Sequence, residues 1–599
     1  MPRAHPGLQF LLRHSLTALV PATVVWALLR FLVVESLHVR FRGVHAVLVL
    51  ITLLSIPGIH AIRIIQSNAR ARRAAERAGA VLPPRLEGKL LGNRDLLQER
   101  LEKFKNGYMG EGLWDKVGAL GHLHSLEIFW NRMYMTDDAN VLKAILSTNF
   151  AHFEKGATYR EMLHSVFGSG VFNVDGELWK FHRSMTRPYF SRDRISHFAL
   201  FDRHADTAIG RMKERLRAGH AVDFQDLVQR FTLDSATEYL LGTCVHSLKS
   251  PLPLPRSHDH PAAVLQSAHL SDPDARFSEA IMGAQRVLAT RLRLGSVWHL
   301  GEFFQDRSAD YMRVIDEFMQ PILEDAITKR RASQEDGKEV TDEDHGTLLD
   351  HLVRLTDDPI LLHDETLNIL IAGRDTTAST LTFIVYMMCL NPCVFERLRR
   401  EVLETFNPTE MPTFDGVKKM KYLRAVINET LRLYPVVPFN LRVATQDTTL
   451  PNPKDTAAPP VFVPANTPVA YSVFMLHRRK DYWGPDALSF DPDRWLDERL
   501  NKYFATNPFI FLPFNAGPRI CLGQQFAYNE ISFFLIRLLQ SFSDVQLDLS
   551  AQPLESRPPP EWAGAEGQKG VEKIMPRCLL TLYLEGGLWV RMTEAGRDA

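Results

Sequence analysis

The sequence has no excess of charge of either sign and few cysteines. Its 70 Lys+Arg and 70 Asp+Glu residues give a formal net charge of zero, whereas proteins that bind nucleic acids usually carry excess positive charge. Its five cysteines are scattered and odd in number, which argues against a disulfide framework and favours a reducing compartment. Internal repeats are absent, and no glycine-rich segment has the spacing of a dinucleotide-binding loop. These absences disfavour a nucleic-acid-binding protein, a disulfide-rich secreted protein and an enzyme with its own nicotinamide domain.

The rest of the composition is that of an ordinary globular protein, with 45% hydrophobic and 23% charged residues. No linker divides the chain after Leu82, so we expect residues 82–599 to form one catalytic domain. A Pro-, Ser- and His-rich insertion at 250–274 is predicted as a surface loop, in which His258 and His260 are solvated. Helix-like segments outnumber strand-like ones, which predicts a mainly α fold with small β-sheets. The helix-like segments include 137–150, 194–216, 223–241, 277–294, 311–331 and 391–405, and the strand-like ones are 461–464, 468–471 and a hairpin at 579–590.

The N-terminal 81 residues have the pattern of a membrane anchor. Residues 44–62 are 19 positions without Lys, Arg, Asp or Glu, about the length that crosses a bilayer core. An earlier apolar segment, 14–29, is compatible with a second span, an interfacial helix or a signal. Five arginines follow the second segment, and basic flanks tend to remain cytosolic. We therefore expect an endoplasmic-reticulum anchor, a proline hinge at Leu82-Pro83-Pro84 and a catalytic domain that faces the cytosol.

Cys521 is the most informative residue of the chain. It follows an apolar run at 509–514, which predicts a short strand, and it precedes a helical run at 524–540. A helix N-terminus presents free N–H groups and a positive partial charge, both of which favour thiolate. A thiolate in this place is suited to hold a haem iron as an axial ligand, the ligation that favours O–O cleavage. A lone cysteine before a helix is more often an ordinary buried residue. The residues around Cys521 must therefore distinguish a haem ligand from a core cysteine.

Four neighbours stand at fixed spacings around this cysteine. Gly517 and Gly523 would let the backbone approach the sulfur closely, and N–H groups aimed at a ligating sulfur tune the metal that it holds. Phe514 and Arg519 complete the pattern, which reads Phe-Asn-Ala-Gly-Pro-Arg-Ile-Cys-Leu-Gly. These ten residues resemble the haem-binding signature of the cytochrome P-450 family.

A polar break interrupts the apolar segment 367–390, which otherwise predicts one buried helix. The break reads Ala-Gly-Arg-Asp-Thr-Thr from Ala372 onward. Its glycine costs a helix about 1 kcal/mol relative to alanine, and the Thr376 hydroxyl can donate to the Ala372 carbonyl and loosen the helix. An acid followed by paired threonines resembles the oxygen-activation motif of the family. The resemblance implies that Asp375 and Thr376 are the catalytic pair that delivers protons to bound O₂.

A third segment contains Glu429 and Arg432, which are three residues apart and share a helix face. Such a pair is usually a solvated surface pair. The resemblance implies instead a buried structural triad of Glu429, Arg432 and Arg494 that holds the cysteine segment in place. The loop around Arg494 departs from the family pattern, with Asp493 where Glu is commoner and Trp495 where Phe is commoner.

The resemblance also implies haem b as the cofactor, with Cys521 as the axial ligand of its iron. Trp179 and Arg183 lie four apart on one helix face and match the Trp-x-x-x-Arg helix of the family. Together with Arg442 and Arg519 they would bind the haem propionates, because a guanidinium donates two parallel hydrogen bonds to a carboxylate. The four signatures occur in the family's order, and the match covers roughly residues 82–589.

The implied activity is that of a monooxygenase, which inserts one oxygen atom of O₂ into a hydrophobic substrate. Because the chain has no recognisable flavin segment, electrons would come from a separate NADPH–cytochrome P-450 reductase. Candidate docking residues are Lys180, Arg183 and Arg187. Competing interpretations are a haem-thiolate isomerase or peroxide-using enzyme, against which the Asp375–Thr376 pair argues, and a haem-binding sensor without turnover.

Three runs of sequence, at 374–377, 477–487 and 517–527, resemble the fungal alkane and fatty-acid hydroxylases in particular. By analogy the pocket walls would be apolar or small residues, as suits a hydrophobic ligand. We therefore expect n-alkanes or long-chain fatty acids as substrates, with aromatics or xenobiotics as the alternative. The candidate pocket residues are Ala372, Val436, Val437 and Phe439.

Overall fold

The computed structural model describes residues 6–39, 43–190, 198–255, 273–335, 346–455 and 457–596. Within these ranges the protein is mainly helical with small β-sheets, as predicted. Most of the insertion at 250–274 lies outside the described residues, together with His258 and His260. The α-helices are Pro6–Arg30, Val44–Arg77, Arg94–Asn106, Leu113–Leu120, Ala139–Lys143, Ala157–Phe167, Gly176–Thr186, Phe198–Arg217, Phe224–Leu241, Pro273–Leu294, Ala309–Glu335, Leu348–Leu355, Pro359–Leu390, Pro392–Thr405, Phe414–Lys419, Lys421–Leu433, Val473–Leu476, Lys480–Trp483, Gln524–Ser541 and Gln568–Val571.

Short strands make up the β-structure. They are β1 Arg85–Leu86, β2 Leu123–Ile128, β3 Asn131–Thr136, β4 Phe153–Glu154, β5 Val222–Asp223, β6 Phe439–Ala444, β7 Thr448–Leu450, β8 Val461–Val463, β9 Pro468–Ser472, β10 Phe542–Leu547, β11 Pro576–Cys578, β12 Leu582–Leu584 and β13 Trp589–Glu594. A six-stranded sheet has the order β1-β2-β3-β9-β6-β4, and a three-stranded sheet has the order β10-β13-β5. Strands β11 with β12 and β7 with β8 form separate pairs.

The first two helices form an antiparallel hairpin, and both are long and apolar enough to cross a membrane. Apolar side chains such as Leu50 and Leu54 are more than half exposed along it, as expected for a surface that faces lipid. The start of the first helix returns to the catalytic domain, where Phe10 stacks on His299 with ring centroids 4.8 Å apart. The end of the second helix also packs on the rest of the protein, where Ala75 contacts Phe462.

The segment that was predicted to be a proline hinge is hydrogen-bonded into the sheets. The Val81 N–H donates to the carbonyl of Pro460 at 2.9 Å, and the Val81 carbonyl accepts from Phe462 at 2.8 Å. Three residues later the carbonyl of Pro84 accepts from the N–H of Ser125 at 2.8 Å. These bonds join the chain on both sides of Leu82-Pro83-Pro84 to neighbouring segments, and the hinge stays a prediction.

The helix Pro359–Leu390, the central helix, is buried over most of its length. It begins eight positions before the predicted start, because Asp358 caps it by accepting hydrogen bonds from the N–H groups of Ile360 and Leu361. The charged residues of its first turns concealed this start, since they resemble a solvated loop. Glu365 is nevertheless fully buried, where it contacts His182.

The prediction of a strand at 509–514 is wrong. Pro508–Ile510 forms a 3-10 turn, and the backbone that follows pairs with none of the described strands. Its backbone N–H groups bond outside any sheet; for example, the Leu512 N–H donates to Nε2 of His477 at 2.8 Å. The apolar side chains bury the run in the core, and this burial produces the same pattern as a strand.

The C-terminal hairpin also differs from the prediction. Strand β12 pairs with β11, whereas β13 pairs with β10 and β5 in another sheet. Gly586 and Gly587 separate the two strands with φ angles of 73° and 87°, a left-handed conformation that strongly favours glycine. This turn redirects the chain to a different sheet, and the choice of partner depends on strands that are distant in sequence.

Candidate functional site

Cys521 lies in a loop, three residues before the first residue of the helix Gln524–Ser541. We call residues 512–523 the cysteine loop. The Cys521 N–H donates to the Phe514 carbonyl at 3.0 Å and so closes the loop, while the cysteine side chain is accessible. The ring of Phe514 lies 5.2 Å from that of Tyr528 on the following helix. The loop therefore presents one accessible sulfur, and the backbone hydrogen bond between Cys521 and Phe514 fixes its position.

Desolvation by the surrounding protein raises the pKa of the Cys521 thiol, while the Gly523 N–H and the positive charge of Arg183 act in the opposite direction. The N–H group and the arginine thus favour the thiolate, as the sequence predicts for the helix N-terminus. A bound metal cation would favour it as well, because coordination deprotonates a thiol outright.

Gly517 was predicted to let the backbone approach the sulfur, but the loop requires it because of the neighbouring Leu146 carbonyl. The φ angle of Gly517 is 68°, and a Cβ atom there would lie 1.7 Å from the carbonyl oxygen of Leu146. No other residue fits, because the neighbouring backbone fills the space. Gly523 has an ordinary φ, and its Cβ would lie 3.9 Å from Phe190, so protein packing does not require a glycine there.

Three cationic side chains gather near the cysteine loop. Burial and the charges of Arg442 and Arg519 hold the pKa of Lys155 well below its usual value. Arg519 donates to Asp175 at 2.7 Å, and Arg442 donates to the Leu441 carbonyl at 2.7 Å. In the described part of the chain, the Nε atoms of both arginines are buried without a hydrogen-bond partner. Buried donors of this kind fit an anionic group such as the propionates of haem.

Sequence reasoning missed Lys155 in this cluster. The residue is a lone lysine between strand β4 and the helix Ala157–Phe167, and nothing in its neighbourhood resembles a binding motif. Strand β4 pairs with β6, with Glu154 opposite Val443, and this pairing is what brings Lys155 to Arg442. Such a contact is visible only once the sheet is known.

The helix Gly176–Thr186 places Trp179 and Arg183 beside the cysteine loop. The guanidinium carbons of Arg519 and Arg183 lie 4.5 Å and 5.8 Å from the centre of the Trp179 ring. Arg183 also donates to the carbonyl of Ile520 at 2.8 Å, one residue before the cysteine. The structure thus brings Trp179, Arg183 and Arg519 together, with Arg183 bound to the cysteine loop itself.

Asp375 and Thr376 occupy an unbroken part of the central helix. The Thr376 hydroxyl donates to the Ala372 carbonyl at 2.7 Å, as predicted, but the helix is not interrupted there. Asp375 accepts from the fully buried Arg374 at 2.7 Å and contacts the amide of Gln285. The carboxylate is therefore held on both oxygens beside the threonine hydroxyl.

Glu429, Arg432 and Arg494 lie together and are almost fully buried. Arg432 donates to both carboxylate oxygens of Glu429 at 2.8 Å, and Arg494 approaches the carboxylate to 3.5 Å. Burial alone would raise the pKa of Glu429, but the two arginines hold it below its ordinary value. Trp495 adds a hydrogen bond from its indole Nε1 to Glu429 at 3.1 Å. Trp495, where the family more commonly has Phe, therefore supplies a hydrogen-bond donor that phenylalanine lacks. Asp493, where the family more commonly has Glu, pairs with Arg397 at the surface.

His477 links this triad to the cysteine loop, and sequence reasoning missed it. Its Nδ1 is 3.1 Å from the Arg432 carbonyl, and its Nε2 accepts from the Leu512 N–H at 2.8 Å. Burial and the nearby arginine lower its pKa to about 3, so the ring is neutral. A neutral ring can donate from Nδ1 while it accepts at Nε2, which this position requires.

Of the four predicted pocket residues, Phe439 lines the apolar cavity beside the sheet. Ala470, Tyr471 and other residues of the sheet line the same cavity. Val436 is buried, and its carbonyl accepts from the Leu582 N–H at 3.0 Å. Val437 and Ala372 are half-buried and do not line this cavity.

One other group of side chains in the described part of the chain has metal-ligating atoms close together, namely His204, Glu238 and Cys244. Glu238 already accepts from His204 at 2.7 Å and pairs with Arg203. Burial raises the pKa of Cys244 to about 11. These contacts account for the cluster as a structural ion pair.

Comparison with known proteins agrees with this geometry. Residues 113–561 match the family model described as cytochrome P450. The chain belongs to the cytochrome P450 family. It is 38% identical over 427 residues to cytochrome P450 52A3-A of Candida maltosa, covering 69% of this chain and 76% of that protein. It is 37% identical over 463 residues to cytochrome P450 52A6 of Candida tropicalis, covering 75% and 79%, and 34% identical over 436 residues to cytochrome P450 monooxygenase pvhE of Talaromyces variabilis, covering 69% and 75%.

The predicted enzyme class, a cytochrome P450 monooxygenase, is thereby confirmed, and the relatives are fungal, as the resemblance indicated. Proteins of this family bind haem through a cysteine thiolate. The accessible sulfur of Cys521 and the unpartnered Nε atoms of Arg442 and Arg519 fit such a group.

The triad yields a test of stability in this P450. Arg432→Ala would leave the buried Glu429 without its main partner, and we expect a loss of roughly 3–5 kcal/mol in the free energy of unfolding. Trp495→Phe would remove one hydrogen bond to the same carboxylate, and we expect a loss of about 1 kcal/mol. Denaturant unfolding and haem content measure both effects.

The matched control is Arg397→Ala, which breaks the half-exposed pair with Asp493 in the same loop. We expect it to change stability by at most about 1 kcal/mol, as is usual for surface pairs. An Arg432→Ala protein with the stability and haem content of this control would show that the triad does not support the loop.

Proposed function

We propose that this P450 hydroxylates long alkyl chains, as n-alkanes or fatty acids, with haem b held by Cys521. The observation that carries the proposal is an apolar cavity, bordered by Phe439, Met135, Leu126 and Phe104. Its walls suit a flexible hydrocarbon, because ligand pockets are mostly apolar with few polar groups. Aromatics or xenobiotics are the alternative substrates.

The haem would supply the chemistry that activates O₂, while the protein orients it and its substrate. We propose Cys521 as the axial ligand, with Gly517, Gly523 and Phe514 shaping the cysteine loop. The propionates would accept hydrogen bonds from side chains that already lie near the loop. These are Trp179, Arg183, Arg442, Arg519 and, as a residue that only the fold revealed, Lys155.

Reduced protein exposed to carbon monoxide tests the ligand. We expect the long-wavelength Soret band of thiolate-ligated haem in the unchanged protein and its loss in Cys521→Ala, because no other sulfur replaces the ligand. Cys393→Ala, which changes an exposed free cysteine, should keep the band. A normal band in Cys521→Ala would disprove the assignment.

Asp375 and Thr376 are proposed as the proton-delivering pair. Asp375 lines a small cavity with Gln225, Gln229 and Gln285, whose side-chain amides would offer hydrogen bonds on a route to the carboxylate. The Thr376 hydroxyl has Ala372 as its acceptor and can rotate to donate to another group. Asp375 would take up a proton and pass it to the Thr376 hydroxyl, which would hold it where the oxygen chemistry that haem supplies needs it.

Thr376→Ala should therefore retain haem and substrate binding while product formation falls on the order of a hundredfold and reducing equivalents appear as peroxide. The ratio of product to NADPH consumed measures this coupling. Thr382→Ala is the matched control, since Thr382 makes the same type of hydrogen bond to Ala378 at 2.8 Å further along the helix. Equal coupling in the two variants would show that Thr376 is only a core residue.

We propose that electrons come from a membrane-bound NADPH–cytochrome P450 reductase and that the protein resides in the endoplasmic reticulum membrane. Lys180 is exposed on the helix that borders the cysteine loop, and Arg187 is exposed directly after it, which makes this face a candidate for docking. Both ends of the N-terminal hairpin lie against the catalytic domain, and basic residues fill the second half of its second helix, which favours a cytosolic position. Cleavage of the catalytic domain by protease added to intact microsomes checks this orientation.

Terminal hydroxylation is the expected outcome for a long chain. A terminal C–H bond is harder to break than an internal one, so the walls must keep the internal carbons away from the reacting centre. Phe439 is the proposed wall, and Phe439→Ala should move hydroxylation inward along the chain. Chromatography of products from the protein reconstituted with its reductase measures this, and mainly internal alcohols from the unchanged protein would contradict the proposal.

A further inference from the structure

One face of the six-stranded sheet forms the floor of the apolar cavity. His124 pairs with Met135, and Met135 pairs with Ala470, so these side chains share a face across three strands. Phe439 stands at the start of β6, the next strand of the sheet. Neighbouring strands are about 4.8 Å apart, so the floor from β2 to β6 is roughly 14 Å long. This length suits an extended alkyl chain.

The helix Arg94–Asn106 covers the cavity near β2 and contributes Arg100 to its lining. Among the described residues, Arg100 has no ion pair and no hydrogen bond. The two carboxylates in the lining are already paired, Glu99 with Lys116 at 3.4 Å and Glu111 with Lys103 at 3.1 Å. A guanidinium at the wall of an apolar cavity is therefore left without a counter-charge.

His124 is a second polar group of the same lining without a full set of partners. Its ring is 2% exposed, and Nδ1 lies 3.2 Å from the Gly121 carbonyl. Within the described chain, Nε2 is buried without a partner. Burial lowers the pKa of His124, but an anion beside the ring would favour the protonated form, which donates from Nε2.

The charge of the lining also favours an anion. The ionised side chains of the lining are Arg100, Lys103, Lys116 and Arg577 against Glu99 and Glu111. Because Arg577 also lies 3.7 Å from Glu585 outside the lining, Arg100 is the cation of the lining that has no carboxylate partner within the described ranges. An excess of one sign inside a cleft with apolar walls raises the local concentration of ligands of the opposite charge.

We propose that Arg100, assisted by His124, binds the carboxylate of a long-chain fatty acid whose alkyl chain lies along the sheet towards Phe439. The proposal rests on the alkyl-chain hydroxylation proposed above and narrows it to acids over n-alkanes. A guanidinium binds a carboxylate through two parallel hydrogen bonds. Because the charged end is held at β2, the methyl end points towards Phe439. Arg100 is thus a residue that determines specificity and orients the chain, without taking part in the reaction.

The test uses the full-length protein loaded with haem and follows the change of the ferric haem spectrum on titration with ligand. The probes are palmitic acid and hexadecane, which share chain length and differ in the carboxylate. Arg100→Ala should bind palmitic acid roughly 10- to 100-fold more weakly, because a charge-assisted pair is lost. Hexadecane binding should change less than about twofold. Arg94→Ala, on the same helix but exposed, should change neither.

Unchanged palmitic acid binding in Arg100→Ala would overturn the inference, as would equal weakening for both probes, which would indicate a change of cavity shape. In either case, if palmitic acid or hexadecane still shifts the haem spectrum of the unchanged protein, the proposed alkyl-chain hydroxylation remains supported. If the unchanged protein responds to neither probe, the proposed function fails as well.

A second measurement does not depend on the folding of a variant. With the unchanged protein, methyl palmitate removes the charge from the ligand and keeps the alkyl chain. We expect it to bind roughly tenfold more weakly than palmitic acid, since it cannot form the charged pair with Arg100. Equal binding of the acid and its ester would contradict the proposed contact.

Discussion

The fully buried carboxylate of Glu429 is the interaction on which the rest of the site depends. A charge removed from water is tolerated only when its partners surround it, and here Arg432, Arg494 and Trp495 do so. Arg432 also donates to backbone carbonyls of the following loops, and His477 continues the network to the cysteine loop. The position of the sulfur thus rests on one buried ion network, although none of its members touches the sulfur.

Guanidinium groups with unused hydrogen-bonding capacity border both proposed binding places, the one beside the cysteine loop and the apolar cavity. Arg442 and Arg519 have buried Nε atoms without partners near the cysteine loop, and Arg100 borders the apolar cavity while the acids nearest to it are paired with lysines. Leaving such groups unpaired costs free energy in the folded protein, so both places are best understood as built for anions. The first suits the propionates of haem and the second a substrate carboxylate, and together they would orient the two reactants.

Local motifs were predictable because the chemistry of each lies within a few residues. The haem-binding signature around Cys521, the Asp375–Thr376 pair and the helix with Glu429 and Arg432 were all recognised before the fold was known. The apolar run at 509–514 was misjudged, because side-chain burial and strand pairing produce the same pattern. The C-terminal hairpin was misjudged because the partner of β13 comes from distant parts of the chain.

The sequence by itself determined the family, the mainly helical fold and the residues that would hold haem, since spacing along one helix or loop decides these features. Only the tertiary structure decided which distant residues meet. It brought Lys155 to Arg442 through the pairing of β4 with β6, and it placed Arg100 over the strand that carries His124. The physical reason is that sheet register and helix packing are long-range choices, made by burial of the whole surface and not by any single segment.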